Sequence, residues 1–307
     1  MENANGVIRP LVSVGIPTYN RPLELGNILR QMLAQTYDNI EIIVLDNCST
    51  NGDVQRVGQE FAEKYSNVKY IRNAENLGVL RNAAEVTKYP NGKYFCWISD
   101  DDHRSRDFIE KTVNHLEQYS EIGCVFCDFK EVDIDGKQKS GYPLNHSKLM
   151  WHYSLNSKWL RRVLYYLSSP ACGKCNAFFG LFRTEILKEM NYSELSNSYT
   201  ALDMDCMLVY QTLGITKIPV LEFVGCSLTI GNVKEYEVSP GGKVPGTAHK
   251  VANTLIRLNN ERRRYTKMSE PIEVILITLL FPVKIFAAFI MLVLGKKCIS
   301  PFAKYAR

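Results

Sequence analysis

Residues 93–102 read Lys-Tyr-Phe-Cys-Trp-Ile-Ser-Asp-Asp-Asp, an apolar run that stops abruptly at three consecutive aspartates. A short apolar run of this kind is typical of a strand buried inside a parallel sheet. Three adjacent carboxylates at the end of a buried strand repel one another and lose hydration. A helix N-cap accounts for one of them, and a divalent cation bridging a diphosphate accounts for the rest. We therefore expect a phosphate-containing substrate.

Similar apolar strands alternate with helical patterns on either side of this stretch. The predicted strands of the first half cover residues 12–16, 41–45, 68–71 and 93–98, and the predicted helices cover residues 22–33, 54–65, 76–88 and 108–116. In the second half, helices are predicted at 148–167 and 201–213, strands at 177–183 and 217–224, and a mobile loop at 232–248. Alternation with short connections predicts an α/β fold with a doubly wound, mostly parallel sheet and right-handed crossovers.

Polar clusters follow three of these strands, at residues 18–21, 46–49 and 100–102. In open α/β sheets, ligands bind in the crevice outside the carboxyl ends of the strands. The three clusters are therefore expected to meet at one site.

Four polar side chains in or near these clusters suit a phosphorylated ligand. Arg21 and Arg81 are candidate partners of a phosphate or a base, although either could be a solvated helix residue. Asp46 and Asn47 are candidate partners of a base or ribose, although plain turn chemistry would also explain them. The hard carboxylate oxygens of residues 100–102 suit Mn²⁺ or Mg²⁺.

Composition is that of an ordinary globular chain, with 307 residues, 46% hydrophobic and 22% charged. The net charge of +5 does not demand a nucleic-acid partner. The first ten residues lack the pattern of a secretory signal, and the nine cysteines fit reduced, buried thiols in a cytosolic compartment. Two Cys-x-x-Cys pairs, 124/127 and 172/175, have zinc-site spacing, but residues i and i+3 of a strand face opposite ways, which disfavours zinc.

Residues 274–294 are apolar enough to span a bilayer, and both flanks are basic. Pro282 and Lys284 interrupt the run near its middle. A single span would place one basic flank outside, against the positive-inside tendency, so a kinked re-entrant or interfacial arrangement is favoured. We expect the protein at the cytoplasmic face of a bacterial inner membrane.

Four motifs in order resemble those of the family 2 inverting glycosyltransferases, which have the GT-A fold. They are Val-Ser-Val-Gly-Ile-Pro-Thr-Tyr-Asn-Arg at 12–21, Ile-Val-Leu-Asp-Asn-Cys-Ser-Thr-Asn-Gly-Asp at 43–53, Asn-Leu-Gly-Val-Leu-Arg-Asn at 76–82, and Gly-Lys-Tyr-Phe-Cys-Trp-Ile-Ser-Asp-Asp-Asp at 92–102. The clear match covers about residues 11–130. More loosely, the chain resembles enzymes that transfer deoxysugars such as abequose in O-antigen synthesis.

The resemblance implies roles for residues of the first three motifs. Pro17, Thr18, Tyr19 and Arg21 would line the nucleoside and phosphate site, with Arg81 nearby. Asp46 and Asn47 stand where many members have two aspartates, and the amide of Asn47 leaves cytidine, thymidine or guanosine donors open beside uridine.

The resemblance also assigns the acidic residues. Asp100 would contact the ribose, and Asp101 and Asp102 would bind Mn²⁺ or Mg²⁺, with Asp101 the first choice. In the second half, Asp203 matches the general base, with Asp205 in reserve, although either could cap its helix.

The predicted domain organisation has four parts. Residues 1–130 form a nucleotide-sugar-binding α/β subdomain, 131–230 an acceptor-binding and catalytic subdomain, 231–270 a mobile loop and basic helix, and 271–307 a hydrophobic membrane-associating segment. The expected partners are a nucleotide-sugar donor, a glycan or polyprenyl-diphosphate-linked acceptor and the membrane surface, with no nucleic acid. A nucleotidyltransferase or a non-catalytic nucleotide-sugar-binding homologue is the alternative.

Overall fold

A computed structural model describes residues 9–133, 136–138, 145–169, 173–190, 192, 201–229 and 247–294. Within this part of the chain, strands and helices alternate through the first half, as predicted. The strands are β1 Val12–Thr18, β2 Ile40–Asp46, β3 Val68–Arg72, β4 Tyr94–Trp97, β5 His103–Arg104, β6 Cys124–Val132, β7 Leu181–Arg183 and β8 Val220–Thr229.

The helices pack around this sheet and its extension. They are α1 Pro22–Leu33, α2 Gly52–Lys64, α3 Val79–Glu85, α4 Phe108–Gln118, α5 His146–Leu149, α6 Lys158–Leu167, α7 Thr184–Lys188, α8 Ala201–Ile215, α9 Thr247–Lys267 and α10 Pro271–Leu294. Local sequence explains several of their starts. Pro22 occupies the first turn of α1, where its missing N–H costs nothing, and the Asn51 side chain caps α2 by accepting from the N–H of Asp53.

The described strands form one mixed sheet in the order β3-β2-β1-β4-β7-β6-β8-β5. The pairs β3–β2, β2–β1 and β1–β4 are parallel, which confirms the predicted arrangement of the first half. The second half is more mixed: β7 pairs antiparallel with β4 and β6, and β8 runs parallel to β6. The α/β fold class is confirmed.

Strand register brings the polar clusters together. Thr18 pairs with Asp46 at the ends of β1 and β2, and β4 lies on the other side of β1 in the same direction. The three strands therefore end at one edge of the sheet, as their buried apolar runs predicted. Trp97, at the end of β4, is 2% exposed, and its indole stacks on the Phe178 ring at a centroid distance of 4.6 Å.

Three predictions for the second half need correction. The strand predicted at 177–183 is limited to β7, because residues 174–179 form a 3₁₀ helix. The helix predicted at 148–167 is broken into α5, a 3₁₀ turn and α6. The strand predicted at 217–224 is β8, which begins at Val220 and ends at Thr229. Most of the loop predicted at 232–248 lies outside the described residues.

The C-terminal helices α9 and α10 pack on the body of the protein through charged contacts. Glu273 of α10 is fully buried and pairs with Arg162 of α6 at 2.8 Å. Lys284, also on α10, pairs with Glu261 of α9 at 2.8 Å. Pro282 lies inside α10, which nevertheless continues to Leu294. The predicted apolar segment is therefore a helix attached along its length to α6 and α9.

Candidate active site

A cavity of about 1250 Å³ opens at the carboxyl ends of β1, β2 and β4. Six of the site residues predicted from the sequence line this cavity: Pro17, Thr18, Tyr19, Arg21, Asn47 and Asp100. The opposite wall comes from the second half of the chain, namely the 174–179 turn and helices α8, α9 and α10. The structure thus brings the strand-end clusters to one crevice, as the sheet topology required.

Asp100 and Asp101 share a cationic partner, Arg21, which lines the cavity together with Asp100, whereas Asp101 is not part of the cavity lining. Arg21 donates from Nη1 to Asp100 Oδ1 at 3.0 Å and to Asp101 Oδ2 at 2.7 Å. Thr18 Oγ1 donates to the other oxygen of Asp100 at 2.7 Å, and Ser99 Oγ donates to Asp101. The backbone at the end of β1 and the turn after β4 therefore position one threonine and two carboxylates together.

The donor set fits a divalent cation held jointly with a phosphate. Burial raises the pKa of Asp100 above its ordinary value, although Thr18 and Arg21 act against that shift. The existing partners therefore leave negative charge at this position undercompensated. No cluster of three or more His, Cys, Asp or Glu ligands occurs among the described residues. A cation held by Asp100 and Asp101 would consequently complete its coordination with phosphate or water oxygens, as Mg²⁺ and Mn²⁺ commonly do.

Asp102, predicted as a second metal ligand, contacts β8 and β5. Its Oδ1 accepts from the Thr229 N–H at 3.1 Å, and its Oδ2 lies 3.7 Å from the buried Arg104 guanidinium. Burial raises its pKa to about 6. Asp102 does not line the cavity. Its visible contacts join the end of β4 to β8, which is a structural role.

Asp46 also lies outside the cavity wall and is fully buried. Its carboxylate accepts hydrogen bonds from Ser49, from the Tyr70 hydroxyl at 2.6 Å and from Arg72 at 2.8 Å. These hydrogen bonds fix the turn after β2. Asp46 therefore acts on the site by holding Asn47 in place.

Asn47 is 3% exposed and lines the cavity. Its Nδ2 donates to Asn76 Oδ1 at 2.8 Å, and its Oδ1 accepts from the Leu77 N–H at 2.9 Å and from Asn73 at 3.2 Å. One amide thus serves as donor and acceptor for the loop that precedes α3. Sequence reasoning did not identify Asn73 or Asn76, and only the asparagine-rich segment around them could have signalled a polar network.

Arg81, predicted to contact phosphate or base, lies on α3 and is absent from the cavity lining. The neighbouring Asn82 takes the inward position: it is 2% exposed, lines the cavity and donates to the Leu45 carbonyl at 3.2 Å. Adjacent helix positions point about 100° apart, so the inward placement of one turns the other outward.

The two candidate bases lie on α8. Asp205 lines the cavity, and burial raises its pKa to about 7. The backbone of Asp203 is part of α8, but its side chain lies outside the described residues. A carboxyl group that titrates near neutrality is suited to proton transfer at physiological pH.

Cysteines contribute to the same wall. Cys175 and Cys206 line the cavity and form a disulfide, so the expectation of reduced thiols does not hold for this pair. Five other cysteines of the described chain are free. Among them, Cys127 lies 3.6 Å from Cys226, sulfur to sulfur, across the β6–β8 pair.

Comparisons with known proteins agree with this geometry. The family model "Glycosyl transferase family 2" matches residues 13–189, more than half of the chain. Abequosyltransferase RfbV of Salmonella typhimurium is 36% identical over 133 residues, which are 41% of this chain and 38% of that protein. The chain spans less than half the length of this and of several other curated relatives that it matches.

Two solved structures share the fold at low sequence identity. S. aureus TarS 1-349 in complex with UDP-GlcNAc aligns with a TM-score of 0.57 and 18% identity, over 90% of this chain and 73% of that one. Mannosyltransferase PcManGT from Pyrobaculum calidifontis, in complex with GDP-Man and Mn²⁺, aligns with a TM-score of 0.55 and 16% identity, over 97% and 79%. The GT-A type of fold is thereby confirmed, and the chain belongs to glycosyl transferase family 2.

Proposed function

We propose that this protein is an inverting glycosyltransferase that moves a sugar from a nucleoside diphosphate to a hydroxyl group of a glycan or lipid-linked acceptor. Cell-surface polysaccharide synthesis in bacteria is the proposed setting, in keeping with the similarity to an abequosyltransferase. The observation that carries the proposal is the meeting of Thr18, Arg21, Asn47 and Asp100 at one large cavity, opposite an acidic residue of α8.

The first half of the chain would hold the donor. Asn47 and Pro17 line the part of the cavity assigned to the nucleoside, and Arg21 supplies a guanidinium for the diphosphate. Asp101, with Asp100, would hold Mn²⁺ or Mg²⁺. When bound, the cation stabilises negative charge on the leaving nucleoside diphosphate. Asp102 is a weaker candidate for this role, because its carboxylate already contacts Thr229 and Arg104.

The acceptor hydroxyl must lose a proton as it attacks the anomeric carbon, so an inverting transferase needs a general base. Asp203 is proposed on the family resemblance, and Asp205 is the alternative that the cavity lining favours. Residues two positions apart on a helix project about 200° apart, so only one of them can face the acceptor. Asp203→Asn and Asp205→Asn therefore form a matched pair, and loss of the base should lower kcat by about 10²- to 10⁴-fold without weakening donor binding.

The decisive experiment measures nucleotide-sugar hydrolysis and transfer with Mn²⁺ for the wild type and Asp101→Ala. We expect a loss of about 100-fold or more in the variant, because negative charge on the leaving group is no longer neutralised. Asp53→Ala is the control, since Asp53 is an exposed residue of α2 that pairs with Arg56 on the same helix. Full transfer activity in Asp101→Ala would remove the metal assignment.

The donor is best found by thermal stabilisation with a panel of nucleotide sugars, because a ligand that binds only the folded state raises its stability. UDP-GlcNAc and GDP-Man head the panel, since the structural relatives were solved with these donors. Cytidine and thymidine sugars complete it, because Asn47 replaces the acidic residue found in many uridine-specific members. Stabilisation by nucleoside triphosphates, with no response to any nucleotide sugar, would favour a nucleotidyltransferase instead.

A position at the membrane surface is proposed on the basis of α10. Within the described chain, residues Pro271–Ile290 are the one stretch long and apolar enough to cross a bilayer, with a mean hydropathy of 2.2. The exposed apolar side chains of α10 are Ile272, Ile275, Leu279, Val283 and Phe286. Their spacing places them on one face, while the buried charges of α10 hold the helix against the protein. This arrangement supports interfacial docking at a cytoplasmic membrane surface. Flotation with anionic vesicles tests it, and Leu279→Glu should reduce the bound fraction.

A further inference from the structure

The cavity extends beyond the proposed donor site to a wall formed by α9 and α10. Arg257, Glu261 and Arg264 line this wall from α9, at spacings of four and three residues that place them on one helix face. Lys284 lines it from α10, and Lys174 lies fully buried near the same glutamate. Arg257, Arg264, Lys284 and Lys174 are called the cationic end below.

Basic side chains from three elements gather around Glu261 at the cationic end. Glu261 Oε1 lies 2.8 Å from Lys284 Nζ and 3.7 Å from Lys174 Nζ, so two ammonium groups share one carboxylate. Burial lowers the pKa of Lys174 to about 7, and the neighbouring Lys284 charge acts in the same direction. Arg257 and Arg264 add two guanidinium groups to the wall. Charge-assisted hydrogen bonds from guanidinium groups would hold an anion that enters the cavity beside them.

An apolar surface adjoins the cationic end. Val283 lines the cavity and is also 58% exposed, so it belongs both to the cavity wall and to the exposed apolar face of α10. Ala287 and Ala288 continue the wall with small side chains. A ligand at the cationic end can therefore extend directly onto the surface that we assign to the membrane. Such a ligand should carry an anionic group where it contacts the cationic end and an apolar group where it contacts α10.

We infer that the cationic end binds the phosphate or diphosphate group of a lipid-linked acceptor, whose hydrocarbon chain leaves over Val283 and the exposed face of α10. Arginine recognises phosphate through paired N–H donors, which suits the two guanidinium groups of this wall. The accepting sugar would then lie between the cationic end and the donor, beside Asp205. This assignment rests on the proposed transferase activity, because that activity requires an acceptor in the same cavity.

Binding of farnesyl diphosphate to the full chain tests the inference. Calorimetric titration is carried out with Mn²⁺ and a saturating nucleoside diphosphate, UDP or GDP, so that the donor's own diphosphate site is filled. In the Arg257→Gln/Arg264→Gln variant we expect affinity to fall by about tenfold or more. The Arg257→Lys/Arg264→Lys variant, which keeps the charge, should recover part of the loss.

Arg263→Gln is the matched control, because Arg263 is an exposed arginine of the same helix that does not line the cavity. Its affinity for farnesyl diphosphate should equal that of the wild type. Unfolding temperatures verify that each variant is folded. Should the double variant fail to fold, Arg257→Gln alone replaces it, since Arg257 is exposed at the helix surface and its removal leaves the Glu261–Lys284 pair intact.

Two further probes separate the phosphate from the lipid. Inorganic pyrophosphate should bind more weakly than farnesyl diphosphate but with the same dependence on the two arginines, and farnesol should not bind measurably. Equal affinity of the wild type and the double variant for farnesyl diphosphate, or equally tight binding of farnesol, would overturn the inference. Titration of each nucleoside diphosphate alone, including CDP and dTDP, keeps the two proposals apart: if none of them binds, the proposed function itself is wrong.

Discussion

Replacing Asn47 with aspartate tests why this chain carries an amide where many family members carry a carboxylate. Asn47 donates to Asn76 Oδ1 at 2.8 Å, and that oxygen also accepts from the Gly78 N–H at 2.9 Å. Asn76 cannot offer its NH₂ group to a carboxylate at position 47, because rotating its amide would turn that group toward the Gly78 N–H as well. In Asn47→Asp a carboxylate would face a carbonyl oxygen across a buried contact, and one hydrogen bond would be lost.

The magnitude follows from that contact. Leaving the Asn76 carbonyl oxygen without its donor and facing a carboxylate should lower the free energy of unfolding by about 2 kcal/mol, which corresponds to a fall of about 4 °C in Tm for a chain of this size. The acceptor half of the network survives, because a carboxylate still accepts from Leu77 and Asn73. The penalty falls on the ionised form, so the pKa of the introduced carboxyl rises in the folded state. The deficit is therefore largest at neutral pH, shrinks as pH falls through the raised pKa of the folded state, and is lost below about pH 4, where the carboxyl is protonated in both states and can donate.

The assay compares thermal unfolding of the wild type, Asn47→Asp and Asn51→Asp at neutral and acidic pH. Asn51 is the control, because its side chain only accepts from the Asp53 N–H, and aspartate caps a helix as well as asparagine does. Nucleotide binding is measured in parallel, since Asn47 lines the cavity. Unchanged stability of Asn47→Asp at neutral pH would refute the account of the asparagine network.

Three further outcomes are expected. Asp46→Asn should lower the free energy of unfolding in urea by about 2 kcal/mol, because Arg72 and two hydroxyl donors lose a buried carboxylate as their acceptor. An unchanged free energy of unfolding would show that these hydrogen bonds do not stabilise the turn. Gly58→Ala should cost about 1–3 kcal/mol, because its Cβ would collide with the Tyr70 ring, and a neutral result would contradict that packing. Burial lowers the pKa of His146 to about 3, so protonation favours unfolding and stability falls as pH drops below about 6.5. His146→Phe should spare about 2 kcal/mol of that loss at about pH 5, and identical pH profiles would refute this.

The parallel half of the sheet could be predicted because its inner strands β1, β2 and β4 are mostly apolar runs. Buried strands need such runs, and the connections between them are short, so periodicity alone placed β1, β2 and β4 and the polar residues after them. The 3₁₀ segment before β7 escaped prediction for the same reason. Ala177 and Phe178 of this segment are buried, Phe178 against Trp97, and burial by itself does not distinguish a strand from a tight helix.

The sequence predicted which residues lie near the site better than it predicted what each of them contacts. Thr18, Arg21, Asn47 and Asp100 reach the cavity because strand ends converge in any parallel sheet. Asp46 and Asp102 were grouped with them, yet each turns to protein partners. A sequence lists neighbouring side chains without the direction in which each points, so a structural carboxylate and a ligand-binding one look alike.

The sequence by itself determined the α/β fold, the edge of the sheet that carries the candidate site, and most of the side chains that line its first half, because these follow from apolar periodicity and from residues close together in the chain. Only the tertiary structure decided that α9 and α10 fold back over the cavity and bring Arg257, Arg264 and Lys284 within reach of a ligand there. That contact joins segments more than 150 residues apart, and it depends on buried pairs such as Glu273 with Arg162. Such pairing is set by packing in three dimensions and leaves no periodic signal along the chain.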